Sequence, residues 1–171
     1  MSQATDHSLH HLPDDARLWV IALDGDETGL RDVLMRIQRF IEQWVSHGRP
    51  VQGVAVLEAD RFLLVAGEVI DGTLSGCGID ALMRAIKEAS AAENCRLLSS
   101  MLIYYRSKSG QVNYVSRGNF RKMIAEGQIS STTRVFNPGI YTLGMLRAKE
   151  FELPLADSVY SRMYRTPVAT T

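Results

Sequence analysis

Residues 18–50, LWVIALDGDETGLRDVLMRIQRFIEQWVSHGRP, decide the fold of this 171-residue chain. The stretch begins with a short apolar run, Leu18 to Leu23, which is bounded by acidic and glycine residues and is typical of a buried strand. Large apolar residues then recur at helical spacing from Leu30 to Val45, with Thr28 placed to cap the helix and Gly48 to end it. This part of the chain therefore predicts a strand followed by an amphipathic helix.

The elements that follow complete a mixed domain. Two β-rich runs, Val51 to Leu57 and Arg61 to Ala66, predict a hairpin. A glycine-bearing loop, residues 67–78, leads to a second helix with an apolar face from Ile79 to Ala89, and Met101 to Arg106 reads as another strand. The order β-α-β-β-α-β is that of the ferredoxin-like split βαβ unit, so we predict an α+β fold with a ferredoxin-like βαββαβ core.

A C-terminal extension follows this core. It is predicted to hold a strand at Gln111 to Val115, a helix capped by Ser116, a short strand near Arg134 to Phe136 and a last helical piece near Thr142 to Lys149. An open apolar sheet face would be a large exposed patch. We therefore expect this βαβ/α extension to cover the sheet.

Length and composition fit one domain. Apolar residues make up 46% of the chain and charged residues 22%, which is enough for one core. We predict a disordered tail over residues 1–15, a single α+β domain over residues 16–165 and a loose terminus over residues 166–171. His7, His10 and His11 lie in this polar tail. We expect them to be solvated and not to form a metal site.

The charge balance and the cysteine count exclude several classes of protein. Nineteen basic residues balance nineteen acidic ones, which disfavours nucleic acid as a partner, and no apolar stretch is long enough for a membrane helix. Cys77 and Cys95 form no C-x-x-C arrangement, so no structural zinc or disulfide framework is expected. We predict a cytoplasmic protein without a cofactor, whose oligomeric state the sequence does not define.

The start of the second helix is the leading candidate site. Free backbone N–H groups and the positive end of the helix dipole favour an anion there, and flanking glycines let a ligand approach the backbone. The leading hypothesis is a non-catalytic domain that binds a small anion or a protein partner at residues 76–80. Its candidate ligand-binding residues are Ser75, Gly76, Gly78, Arg61 and Arg84.

A thiol enzyme or redox sensor is the main alternative. A helix start favours the thiolate form of a cysteine, so Cys77 is the candidate nucleophile, with His47 as its assistant and Asp80 as a third candidate catalytic residue. Ordinary explanations exist for each residue, because cysteine is often a small buried hydrophobe and histidine often caps a helix. Asp80, Arg84 and Glu88 also fit a solvated helix face with ion pairs four residues apart.

Several segments together resemble one known family. They are Phe40-x-x-x-Trp44-x-x-His47-Gly48, Asp60-Arg61-Phe62, Ser75-Gly76-Cys77-Gly78-Ile79-Asp80, Val135-Phe136-Asn137 and Asp157-Ser158-Val159-Tyr160-x-Arg162-x-Tyr164. Across residues 17–164 the chain is similar to an uncharacterised family of small bacterial proteins that are commonly labelled "ABC transporter ATPase". ATP hydrolysis of that type needs a glycine-rich loop that ends in Gly-Lys-Ser/Thr, and the sequence contains none. The resemblance therefore implies a family and not a nucleotide site.

A second resemblance covers residues 104–135 and offers a third function. Tyr104-Tyr105, Gln111 and the pattern from Val115 to Ile129 are similar to GYF-type modules, which use aromatic side chains to bind proline-rich peptides. The resemblance implies a peptide-binding surface built from Tyr104, Tyr105 and Phe120. Paired tyrosines in a strand are also common in ordinary sheets, so both interpretations stay open.

Overall fold

Ten short strands, four helices and one 3-10 turn make up the part of the chain that the computed structural model describes, which is Leu9 and residues 11–164. The strands are β1 (Arg17–Asp24), β2 (Val45–Ser46), β3 (Arg49–Pro50), β4 (Gln52–Glu58), β5 (Phe62–Glu68), β6 (Arg96–Leu97), β7 (Ile103–Arg106), β8 (Val112–Val115), β9 (Arg134–Phe136) and β10 (Glu152–Pro154). The helices are α1 (Glu27–Ile41), α2 (Gly76–Ala92), α3 (Arg117–Ala125) and α4 (Leu143–Arg147), and the 3-10 turn is Leu155–Asp157. The α+β prediction is confirmed.

The first sheet has the strand order β4-β5-β1-β6, and its neighbouring strands are antiparallel. The predicted hairpin is present as β4 and β5. The strand predicted at Met101 to Arg106 is present as Ile103–Arg106, but it belongs to the second sheet, and the two-residue β6 occupies the edge of the first. A two-residue strand is too short to leave an alternating apolar pattern. The full ferredoxin-like topology stays a prediction.

Helices α1 and α2 cover one face of this sheet. Asp26 caps α1 by accepting a 2.7 Å hydrogen bond from the Gly29 amide, in place of the predicted cap Thr28. The two helices and this sheet face share one apolar core, whose fully buried members include Leu23, Val33, Ile37, Leu63, Val65, Leu82 and Ile86. Each helix therefore buries one apolar stripe and leaves its opposite face in solvent.

The second sheet, with strand order β10-β9-β7-β8, covers the opposite face of the first sheet. Phe62 of β5 lies 5.3 Å from the ring of Tyr104, 4.9 Å from Phe136 and 5.1 Å from Phe151, measured between ring centroids. These rings share a core with Leu18, Leu64 and Leu143. The prediction that the C-terminal extension covers the sheet is confirmed, and the driving force is burial of these large apolar surfaces.

Helix α1 ends earlier than its apolar spacing predicts. It stops at Ile41, and residues 45–50 form the small β2–β3 hairpin. At the hairpin tip His47 and Gly48 have φ values of 51° and 74°, which no α-helix tolerates. Trp44 leaves the helix and is buried against Phe40 and Trp19, with ring centroids 5.8 Å away in both pairs.

The N-terminal residues that the structure describes differ from the predicted disordered tail. Leu9 and Leu12 are buried in the core, and their carbonyl groups accept hydrogen bonds of 2.9 and 2.7 Å from Arg147. Arg147 also forms an ion pair with Asp14. Residues 1–8, residue 10 and the predicted loose terminus lie outside the described residues.

In the described part of the chain, every helix is too short or too polar to span a membrane. Among the same residues, no group of three or more histidine, cysteine or acidic side chains is arranged to hold a metal ion. His11 is exposed, and His7 and His10 are outside the described residues.

Candidate functional site

The start of α2 is closed by its own side chains. Ser75 is the N-cap, and its hydroxyl accepts a 3.1 Å hydrogen bond from the Gly78 amide. The hydroxyl of Ser46, on the β2–β3 hairpin, accepts from the Ser75 amide at 2.9 Å and lies 2.9 Å from the Ser75 hydroxyl. The Trp44 indole donates to the Gly78 carbonyl at 2.9 Å. The hairpin thus occupies part of the predicted anion site.

The two glycines at this helix start differ in their surroundings. A Cβ at Gly76 would meet no atom within 4 Å, so the backbone there is open. A Cβ at Gly78 would lie 3.1 Å from Cβ of Ser46, and Gly78 is buried. The prediction that Gly78 lets a ligand approach was wrong, because Ser46 fills that space.

Cys77 and His47 are both exposed, near the docking point of the hairpin on α2. No hydrogen bond joins them within the described residues, although Ser46 and Ser75 touch next to them. His47 is not the cap of α1, as its position in the sequence suggested, because it lies at the hairpin tip. The Cys77–His47 thiol mechanism therefore stays a prediction.

Asp80 and Arg84 are exposed on α2, on the face opposite to its buried residues. Arg61 is not near them. Arg61 precedes β5, whereas α2 begins near the other end of that strand, where Gly67 packs on Trp44. The prediction that Arg61 joins the helix start was wrong, since the length of β5 separates the two.

Arg61 has a structural partner instead. It donates to the Leu23 carbonyl at 2.9 Å and to the Asp24 carboxylate at 2.8 Å, and its guanidinium lies 5.3 Å from the Tyr114 ring centroid. Asp24 also accepts from Arg96 at 2.8 Å. The hydrogen bond from Arg61 is the largest influence that lowers the pKa of Asp24. This network joins the end of β1 to the second sheet.

The three aromatic residues of the peptide-binding hypothesis are buried. Tyr104 and Phe120 have no exposed surface, and Tyr105 retains 8%. Burial raises the pKa of Tyr104 to about 12, and its hydroxyl donates to the Ser99 carbonyl at 2.8 Å. These side chains form the core and present no aromatic surface to a peptide.

A group of charged residues ties three strands of the second sheet together. Glu152 of β10 accepts two hydrogen bonds from Arg106 of β7, at 2.9 and 2.8 Å, and one from Nε of Arg134 of β9, at 2.8 Å. Burial alone would raise the pKa of Glu152, but the hydrogen bonds from the two arginines outweigh it and lower the pKa. Both arginines are thereby fixed in orientation at one end of the sheet.

A cleft of about 740 Å³ opens beside these arginines. Strands β7 and β9 pair at Tyr105 and Val135, and the chain segments on one side of that pair both line the cleft. The lining carries three basic side chains and a set of hydroxyls, which are Arg106, Lys108, Arg134, Ser107, Ser130, Thr132 and Thr133. Within the described residues, no carboxylate lines the cleft. This arrangement suits a ligand that is negatively charged and accepts hydrogen bonds.

Sequence reasoning missed this cleft. Its walls are mainly two short polar segments, residues 106–108 and 130–134, which read as a turn and a loop. The only sequence signal is that each segment combines hydroxyl side chains with an arginine. Nothing in the sequence shows that pairing of Tyr105 with Val135 brings the two segments together.

Comparison with known proteins adds no relative. No protein-family model, no curated protein and no solved structure matches the chain. The resemblance to the family labelled "ABC transporter ATPase" and the resemblance to GYF-type modules therefore stay predictions.

Proposed function

We propose that this protein binds a small anionic ligand in the cleft between the ends of β7 and β9. The observation that carries the proposal is the lining, which combines three basic side chains and four hydroxyls without a carboxylate among the described residues. The cleft volume lies within the range of small-molecule sites, which is roughly 300–1,000 Å³. A cytoplasmic location, inferred from the sequence alone, is part of the same proposal.

Electrostatics support an anion in this cleft. Glu152 neutralises one of the three positive charges, which leaves an excess of positive charge in the cleft. Lys108 is exposed and forms no ion pair within the described part of the chain. A cation without a partner beside fixed hydrogen-bond donors binds an anion more strongly than a surface cation already paired with a carboxylate.

The proposal keeps the predicted type of ligand and changes its place. At the start of α2, the amide groups of Ser75 and Gly78 already donate to serine hydroxyls. Asp80 also places a negative charge in the first turns of that helix, which opposes an anion there. The hydroxyls of the cleft are also hydrogen-bonded, Ser107 to Ser109 at 2.8 Å and Ser130 to Thr132 at 3.0 Å, but no carboxylate among the described residues lines the cleft.

Two matched substitutions test where the anion binds. Lys108→Gln removes one exposed positive charge from the cleft, and Arg84→Gln removes one exposed positive charge from α2. Calorimetric titration with inorganic phosphate and with pyrophosphate is expected to show weaker binding for Lys108→Gln by about tenfold, roughly 1.4 kcal/mol. Arg84→Gln is expected to bind as the unsubstituted protein does.

Two results of this titration would contradict the proposal. A loss of affinity in Arg84→Gln with none in Lys108→Gln would show that the anion binds at the start of α2 and not in the cleft. Absence of measurable heat for both anions with the unsubstituted protein, at protein and ligand concentrations that detect millimolar binding, would remove the proposal. Circular dichroism of both variants checks that the fold is retained.

A further inference from the structure

We infer that the ligand is a phosphate monoester whose apolar part lies on the floor of the cleft. The inference rests on the proposed function, because it specifies the anion that the cleft holds. Two features of the lining, besides its positive charge, select among anions. They are the hydrogen-bond donors that remain free and the apolar residues that line the cleft with them.

The donors that remain free are suited to phosphate rather than to carboxylate. A carboxylate is planar and pairs best with the paired N–H groups of one guanidinium. Glu152 already takes that position on Arg106, through both of its oxygens. What remains is the Lys108 ammonium and Nη1 of Arg134, for which no hydrogen bond is recorded among the described residues.

These remaining donors come from the two different chain segments that line the cleft, and hydroxyl side chains line it with them. Lys108 follows β7, Arg134 begins β9, and Ser107 and Thr132 line the space with them. A phosphate monoester has three terminal oxygens arranged around one atom and carries a charge near −2 at pH 7. It accepts donors from two walls at once, which a planar carboxylate of one charge does less well.

The cleft has an apolar part, its floor, formed mainly by the half-buried Met123. The small exposed parts of Tyr105 and Ile129, 8% and 4% of their surface, add to it. The cleft volume exceeds the space that a bare phosphate fills. A methionine side chain adapts to flat or irregular apolar groups. The geometry thus favours a compound that carries an apolar group next to its phosphate.

Four probes of related shape separate these features. Phenyl phosphate has the full set, phenyl sulfate keeps the ring and the tetrahedral group with one charge, benzoate keeps the ring with a carboxylate, and inorganic phosphate lacks the ring. Calorimetric titration of the full chain is expected to show phenyl phosphate binding at least tenfold more tightly than each of the other three.

A pair of methionine variants tests the floor. Met123→Gln is expected to abolish the advantage of phenyl phosphate over inorganic phosphate, with little change for inorganic phosphate itself. Met35→Gln, on the exposed face of α1, is the matched control and is expected to change neither value.

The outcomes distinguish the two proposals. If benzoate or phenyl sulfate binds as tightly as phenyl phosphate, or if Met123→Gln leaves the advantage intact, the phosphate monoester inference is wrong and the anion proposal stands. If none of the four anions binds, or if Lys108→Gln affects none of them, both proposals fall together.

Discussion

At the scale of single residues, Gly67 shows how closely the hairpin region is packed. A Cβ at this position would lie 2.7 Å from Cζ3 and 3.0 Å from Cη2 of Trp44, and 3.2 Å from the Val51 side chain. Gly67, Trp44 and Val51 are all buried. The indole is held in turn by its hydrogen bond to the Gly78 carbonyl, so it has little freedom to move aside.

We expect Gly67→Ala to lower the free energy of unfolding by about 1–3 kcal/mol, as other overpacked sites do. Urea denaturation followed by tryptophan fluorescence measures this change. Gly76→Ala is the control, because a Cβ there meets nothing and alanine favours a helix by up to about 1 kcal/mol over glycine. Equal losses in the two variants would show that Trp44 does not define the space around Gly67.

At the scale of elements, Glu152 links strands β7, β9 and β10. Its pKa in the folded protein is below the ordinary value of 4.5, so its pairing stabilises the fold fully above that pH. The contribution is lost as the pH falls from the ordinary value through the lowered one. Acid therefore weakens the end of the second sheet that carries the cleft.

Glu152→Gln is expected to reduce the free energy of unfolding at pH 7 by about 1–3 kcal/mol, because it weakens the pairing of two partly buried arginines. Its stability is also expected to fall less between pH 5 and pH 3 than that of the unsubstituted protein. Urea titrations across this range measure both effects. The exposed Glu150→Gln is the control, and a parallel decline in all three proteins would contradict the assigned role of Glu152.

The elements themselves were predicted with uneven success, for local reasons. The strand over residues 18–23, the β4–β5 hairpin and the central parts of α1 and α2 were predictable, because burial on one face sets their apolar periodicity. The end of α1 was not. Trp44 continues the helical spacing, but the chain leaves the helix after Ile41 and turns back at His47 and Gly48. The two-residue β6 was too short to leave any pattern.

At the scale of the whole molecule, the fold explains why the site was harder to predict than the elements. The apolar face of the first sheet implied that the extension must cover it, and the aromatic cluster around Phe62 does so. The cleft, however, depends on one strand pair, Tyr105 with Val135, thirty positions apart in the sequence. The predicted residues at the start of α2 lie close in sequence, whereas those of the cleft meet only after the second sheet forms.

One measurement tests the central claim most directly, which is that the cleft binds an anion. Two-dimensional amide NMR spectra of the isotope-labelled protein are recorded during titration with inorganic phosphate, at constant ionic strength and pH. The account predicts saturable shifts confined to the cleft segments, residues 106–108 and 130–134. Saturable shifts at residues 75–78 instead, or no saturable shift at either place, would contradict it.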